Sequence, residues 1–211
     1  MEQTRKIPLF PLGVVLFPGM LLPLHIFEER YKEMIRLCIE QEQEFGVLLF
    51  QNGQLCPVGC TVGITKVLKS YEDGRMDILT EGSRRFRLED TVDEKSFLEA
   101  RVTFLEDDDA DPGEVSEDLV RDAGAFLEKI MSFLGQEADS EKIAAISPAT
   151  LSYLIASHGV FTLEEKQNFL EISDPVERLR NEIELRDLIV RRLEATRKIS
   201  QALHSNGKLI K

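Results

Sequence analysis

Cysteine and histidine are scarce in this chain, at three of each in 211 residues. Cys38, Cys56 and Cys60 form an odd set, and no secretion signal precedes them, which points to a reducing, cytoplasmic setting and not to a disulfide framework. Cys56-Pro-Val-Gly-Cys60 has a spacing that a metal pair can use. A structural zinc site needs four ligands, usually as two close pairs, and neither a second pair nor a nearby histidine follows. The three thiols read as small buried hydrophobes, and neither metal nor cofactor is expected. Catalytic signatures are missing too, with no G-x-S-x-G elbow and no H-E-x-x-H helix. Nucleophilic catalysis needs a Ser, Cys or Thr beside an oriented base. His158 falls at a predicted helix end and His204 near the C-terminus, so only His25 has polar company, in Glu28, Arg30 and Tyr31. The chain is therefore expected to be non-enzymatic. Basic clusters are also lacking. Net charge is −12 with a pI near 4.8, and such a surface repels phosphate backbones unless its cations gather. The densest runs are Arg84-Arg85-Phe86-Arg87 and Arg191-Arg192. Nucleic acid is disfavoured as a partner, and RNA binding through Arg84, Arg85 and Arg87 stands as the alternative.

One stretch lacks charge altogether. Ile7 to Phe27 contains no Asp, Glu, Lys or Arg, and a membrane helix needs only ~20 apolar residues. Pro8, Pro11, Pro18 and Pro23 are spread through it. Each interior proline costs a helix ~3 kcal/mol, and lipid offers no water to replace the lost hydrogen bond. A signal peptide would need an unbroken apolar core and a small-residue cleavage site, which Phe27-Glu28-Glu29-Arg30 does not supply. The stretch reads as short buried strands of a soluble fold, over Ile7 to Leu12, Val14 to Phe17 and Met20 to Ile26, with no membrane association.

The rest of the first half continues in that manner. Glu28 to Glu44 predicts a helix with Tyr31, Met34, Ile35, Cys38 and Ile39 on one face. Strands follow over Phe45 to Phe50, Cys60 to Ser70, Met76 to Thr80, Arg84 to Leu88 and Leu98 to Phe104. Asp73-Gly74 marks a hairpin and Gly82 a bulge or bend. Glu106 to Glu114 is acidic and broken by Pro and Gly, a solvated linker without the spacing of a calcium loop. Beyond it the pattern is helical. Leu119 to Leu134 carries an apolar stripe closed by Gly135. Ser147-Pro148, Thr162-Leu-Glu-Glu165 and Asp174-Pro175-Val-Glu177 are helix starts. The last of these predicts a helix of ~30 residues, ~45 Å long. The expected domains are 1–105, a β-rich barrel with one helix; 106–114, the linker; and 115–211, a helical bundle.

Three ordered motifs carry a resemblance. Ile7-Pro-Leu-Phe-Pro-Leu-Gly-Val-Val-Leu-Phe-Pro-Gly-Met-Leu-Leu-Pro-Leu-His-Ile-Phe-Glu resembles the opening of the Lon protease N-terminal, substrate-binding domain. Val58-Gly-Cys-Thr-Val-Gly-Ile-Thr-Lys-Val, Asp73-Gly74 and Ile78-Leu-Thr-Glu-Gly-Ser-Arg-Arg-Phe are similar to that family's central hairpin. Leu151 to Ile155, Glu164 to Gln167 and Leu170 to Leu179 resemble its helical part. The resemblance implies an α+β fold, a PUA-like β-barrel followed by a helical bundle with a long C-terminal helix. The chain departs from full Lon proteases in lacking a G-x-x-x-x-G-K-[ST] phosphate loop. Their Ser-Lys peptidase domain is expected to lie beyond residue 211. His25-Ile-Phe-Glu-Glu-Arg-Tyr31 is closer to the family's stand-alone members.

The implied function is a protein- or peptide-binding module that holds unfolded or client polypeptides in a cleft between barrel and bundle, with a protease or another protein as a further partner. Site candidates for peptide binding are Met20, Leu21 and Leu22 as an apolar lip, with His25, Glu28, Arg30 and Tyr31 at a strand end that runs into a helix N-terminus, and Arg85 on the barrel. Such a place collects polar side chains and free N–H groups. The competing reading is an internal lock, with Glu28 or Arg30 pairing across to a barrel residue such as Arg85.

Overall fold

The proline-studded opening supplies the first two strands of a β-barrel. The computed structural model describes residues 4–107 and 116–206, with the backbone alone over 200–206. Residues 108–114 of the expected linker lie outside the described residues. The chain falls into two compact units, residues 1–108 with 163–173, and residues 109–162 with 174–211.

The first unit contains β1 (Arg5–Leu12), β2 (Leu21–Ile26), α1 (Glu29–Glu40), β3 (Phe45–Gln51), β4 (Gln54–Leu55), β5 (Val58–Ser70), β6 (Met76–Val92) and β7 (Glu99–Leu105). Antiparallel pairing runs β1–β7–β6–β5–β3, and parallel pairing of β1 with β3, Leu9 opposite Gly46, closes the ring. The 17-residue β6 takes in both strands expected around Gly82; its first half pairs with β2 and its second with β7. Expected strand Val14 to Phe17 is instead a buried loop with no ladder partner. Its sequel crosses β6 at Gly82, which exchanges backbone bonds with Gly19 and Met20. Any Cβ at Gly82 would lie 2.2 Å from the Phe17 carbonyl oxygen, so glycine is what lets the loop close on the strand.

Helix α1 is amphipathic as its pattern predicts, with Tyr31, Met34, Ile35 and Cys38 buried. They join Phe10, Leu16, Ile26, Phe45, Val62 and Ile78 in one core, while Ile7, Leu9, Leu48, Phe86, Ala100 and Val102 form a second. Each Val, Leu, Ile, Met or Phe side chain among them contributes roughly 1.5–3 kcal/mol on burial. Ile39, placed on the buried face by periodicity, is 41% exposed.

The second unit holds α2 (Glu117–Phe133), α3 (Ser140–Ala144), α4 (Pro148–Ser157), α6 (Pro175–Glu184) and α7 (Arg186–Asn206). Its boundaries follow local chemistry. Ser147 accepts from the Thr150 N–H and Asp174 from the Val176 N–H, each ahead of an N1 proline. At the end of α2, Gly135 adopts φ +72°; its N–H reaches Ser132 O while Gln136 N–H reaches Met131 O, the two bonds of a Schellman motif. The final helix differs from expectation, because it breaks at Leu185 (φ −81°, ψ −7°). Leu179 and Ile189 are both fully buried. In a straight helix they would lie about 80° apart around the axis, so the break turns the second stripe inward.

Helix α5 (Leu163–Glu171), expected in the bundle, belongs to the strand unit. Phe169 and Leu170 are buried, and the Gln167 side-chain amide donates to Val58 O at 3.0 Å. The overall architecture is thus α+β, a PUA-like barrel combined with a helical bundle. No described helix is long and apolar enough to cross a membrane.

Candidate functional site

Strand β2 pairs with β6 alone, so one of its edges carries no ladder. Pro23 has no N–H to offer there, which blunts the edge against further strands. Its side chains alternate. Leu22, Leu24 and Ile26 face the core, while Leu21, Pro23 and His25 are exposed. Cross-strand pairing sets His25 beside Asp77 and Lys69, and Pro23 beside Leu79 and Lys66. The outward face is therefore an apolar strip next to a polar one.

The polar strip is organised around Asp77. Its carboxylate accepts from His25 Nδ1 at 2.5 Å and from the Tyr71 hydroxyl at 2.8 Å. The His25 bond, then the Tyr71 bond, hold the Asp77 carboxyl below its ordinary value of 3.8. Phe27 lies near-parallel to the His25 ring at 5.9 Å, and Tyr71 meets that ring edge-on at 6.0 Å. Lys69 and Arg75 lie over the Tyr71 ring at 4.4 and 4.9 Å. Leu21 is 55% exposed and Phe27 60%. The hairpin that brings Tyr71 and Asp77 here is anchored to α1, where buried Lys32 donates to Asp73 O at 2.9 Å and pairs with Glu29 at 2.7 Å.

The sequence-derived candidates divide. Leu21 and His25 lie on the exposed face. Met20 and Leu22 pack partly against the barrel core, and Leu22 O accepts from the Thr80 hydroxyl at 2.8 Å. Glu28 precedes α1 and pairs locally with Arg30 at 2.8 Å. Arg30 lies 4.6 Å over the Tyr31 ring. Tyr31 itself is buried and stacked 4.0 Å from Phe10, and desolvation pushes its hydroxyl pKa up.

Arg85 stands apart from the group. It is 2% exposed, and its guanidinium donates to the carbonyls of Leu170, Ile172 and Glu106 and to Ser173 Oγ, at 2.9 to 3.2 Å. An ion pair with Asp107 at 2.7 Å completes the set. Arg85 is thus a lock, with different partners from those expected, since Glu28 pairs with Arg30. Burial of Arg85 also breaks up the basic run considered for RNA.

Sequence reasoning missed Tyr71 and Asp77. The Asp73-Gly74 turn sets the hairpin, but which β6 residue meets His25 depends on a register 52 positions away. The thiols match the expected chemistry in part. Burial pushes Cys38 and Cys60 to about 12, whereas Cys56 is only half-buried. Among the described residues no three His, Cys, Asp or Glu side chains gather as metal ligands.

Comparison with known proteins places the fold. The chain is similar to the Lon protease of Cytophaga hutchinsonii (26% identity, 97% of this chain, 27% of that protein) and to Lon protease 2 of Myxococcus xanthus (28%, 96% and 26%). It therefore spans about a quarter of the length of these relatives. Among solved structures it resembles a Lon N-terminal domain protein from Xanthomonas campestris (TM-score 0.64, 28% identity, 83% of this chain and 95% of that one). It also shares the fold of the N-terminal domain of a Mycobacterium avium complex Lon protease (TM-score 0.71, 16% identity, 87% and 98%). The family model for the ATP-dependent protease La (LON) substrate-binding domain matches residues 6–186, and the chain belongs to that family.

Proposed function

We propose that this chain is a non-enzymatic module that binds exposed apolar segments of unfolded or client polypeptides, on the outward face of β2 and β6. The observation that carries this reading is the exposure of Leu21 and Phe27 on either side of an ordered His25–Asp77–Tyr71 group. Large apolar side chains kept in water beside fixed polar groups suit a partner that brings apolar surface and backbone amides together. Family membership supports the same reading, because the matching model is named for substrate binding. Blunting by Pro23 favours side-chain contact over strand addition. Acidity over the whole chain disfavours RNA. A protease or other protein is the natural recipient of a bound client, and the module acts in the cytoplasm.

Fluorescence anisotropy at ~150 mM salt, a concentration at which exposed charges are largely screened beyond ~8 Å, tests this. The ligands are a reduced, alkylated unfolded protein and a mixed-sequence RNA. The expected result is saturable binding of the unfolded protein only, weakened at least tenfold by Leu21→Ser with Phe27→Ser. Binding of RNA alone, or binding of the unfolded protein that ignores both substitutions, overturns the proposal.

A further inference from the structure

The barrel has a recess at the end where β1 begins and β7 finishes. Its volume is about 270 Å3, and Phe104 and Ile7 supply its apolar walls. Three cations, Arg5, Lys6 and Arg84, contribute to the lining against one carboxylate, Glu44, in a chain of net charge −12. Lys6 is engaged, with Nζ 3.1 Å from Glu99 and 3.3 Å from Glu94. Arg5 and Arg84 make no ion pair among the described residues. Both guanidiniums lie over the Phe104 ring instead, Arg84 at 3.9 Å and Arg5 at 5.9 Å from its centre.

Arg84 is placed there by a specific device. Cys60 faces Arg85 and Val62 faces Gly82, so Thr61 alone opposes Ser83 and Arg84. This is a β-bulge, which re-aims a side chain out of the regular alternation. The hydroxyl of fully buried Thr61 accepts from the Arg84 N–H at 3.2 Å and donates to the Arg84 carbonyl at 3.3 Å. A side chain thus holds the residue that the ladder leaves out.

We infer that this recess binds a carboxylate carried on a small apolar body, with Arg5 and Arg84 receiving the oxygens and Phe104 and Ile7 the apolar part. Guanidinium forks match the two oxygens of a carboxylate, and barrel mouths are recurrent small-ligand sites. Glu44 at the rim opposes a doubly charged phosphate more than a singly charged carboxylate. The end of a polypeptide and a free short-chain acid present the same chemistry. The inference stands independently of apolar-client binding, which uses a different face.

The test is an NMR titration of the full chain, following the Arg5 and Arg84 side-chain N–H signals and the Phe104 amide. The probes are N-acetyl-alanyl-valine, its C-terminal amide, isovalerate and inorganic phosphate. The dipeptide acid is expected to give saturable shifts, with affinity at least tenfold above the amide and at least tenfold lower in Arg84→Gln or Arg5→Gln. Isovalerate matching the dipeptide acid assigns a free acid as ligand, and a stronger dipeptide acid assigns a chain terminus. Equal binding of acid and amide, phosphate binding as tight as the acid, or indifference to both substitutions overturns the inference. Both arginines are exposed, so the variants keep the fold, which an unchanged spectrum elsewhere verifies.

Discussion

Arg85 and Leu170 are joined by a buried hydrogen bond, Nη1 to carbonyl oxygen at 2.9 Å, across 85 residues of sequence. The same guanidinium fastens Glu106, Asp107, Ile172 and Ser173, so one side chain ties two chain segments to the barrel wall. Arg85→Ala leaves those acceptors without their donor in a buried setting. A loss of about 3–5 kcal/mol is expected, read by urea unfolding. Arg85→Lys recovers only part of it, because an ammonium cannot reproduce the planar fork. Hydrogen exchange over 163–173 should rise in both variants; unchanged exchange there would show that α5 is held by other contacts.

Gly82→Ala presses a methyl group against the Phe17 carbonyl at 2.2 Å. The clash is with backbone, which cannot swing aside, so a loss of about 1–3 kcal/mol or more is expected. Gly63 meets nothing within 4 Å, and Gly63→Ala serves as the control. Equal stability of the two variants would refute the close approach of loop and strand.

Glu182 is fully buried on α6, and neither carboxyl oxygen has a hydrogen-bond partner among the described residues. Desolvation raises its pKa well above 4.5, against the opposing pull of Arg178. A raised folded pKa means that the fold holds the proton more tightly than the unfolded chain does. Stability from this group is therefore full below 4.5 and falls as pH rises toward the folded pKa. Glu182→Gln, a mimic of the protonated acid, should match the parent at pH 4 and be more stable at pH 8. Denaturant midpoints at the two pH values decide it. A variant less stable at pH 8 would mean an ionised carboxylate paired with Arg178.

Asp77 works with the opposite sign. Its carboxyl is depressed below 3.8 by His25 and Tyr71, so the contact is present above that value and is lost as pH falls through the lower, folded one. Acid titration by NMR should show the His25 and Tyr71 side-chain signals moving together below pH 4, while Cys60 and its neighbours stay fixed. Asp77→Asn should remove that transition.

Native thiol labelling should mark Cys56 alone. Cys38 and Cys60 are buried, with pKa values pushed to about 12, and the thiolate is the reactive form. Burial, then the Glu171 charge, raise the Cys56 pKa as well, so one slow equivalent of a disulfide reagent at pH 8, followed by the other two only in denaturant, is the expected course. Rapid reaction of all three would mean that the barrel opens readily.

Local chemistry was legible in the sequence wherever a few neighbouring residues decide the outcome. Ser147, Asp174 and Gly135 end or begin helices through their own side chains or backbone freedom, and Asp73-Gly74 turns the chain by itself. Tyr31, Met34, Ile35 and Cys38 declare a buried face by spacing alone. What escaped depends on distant partners. The break at Leu185 has no local breaker and is set by where Leu179 and Ile189 must pack. The pairing of His25 with Asp77 waits on register, and the engagement of Arg85 on two segments that a local pattern cannot connect. Arg84 and Arg85 read as one basic run in the sequence, yet successive strand residues point to opposite faces, and the first is exposed while its neighbour is buried.

Membership of residues 163–173 in the strand unit bears on synthesis. A ribosome that has delivered β7 has not delivered everything the barrel binds, because three of the acceptors that receive Arg85, on Leu170, Ile172 and Ser173, are made after the first helices of the second unit. At roughly 5–20 residues per second, several seconds separate the last strand from its closing helix. During that interval the Arg85 guanidinium has only its Glu106 and Asp107 partners and lacks those on Leu170, Ile172 and Ser173.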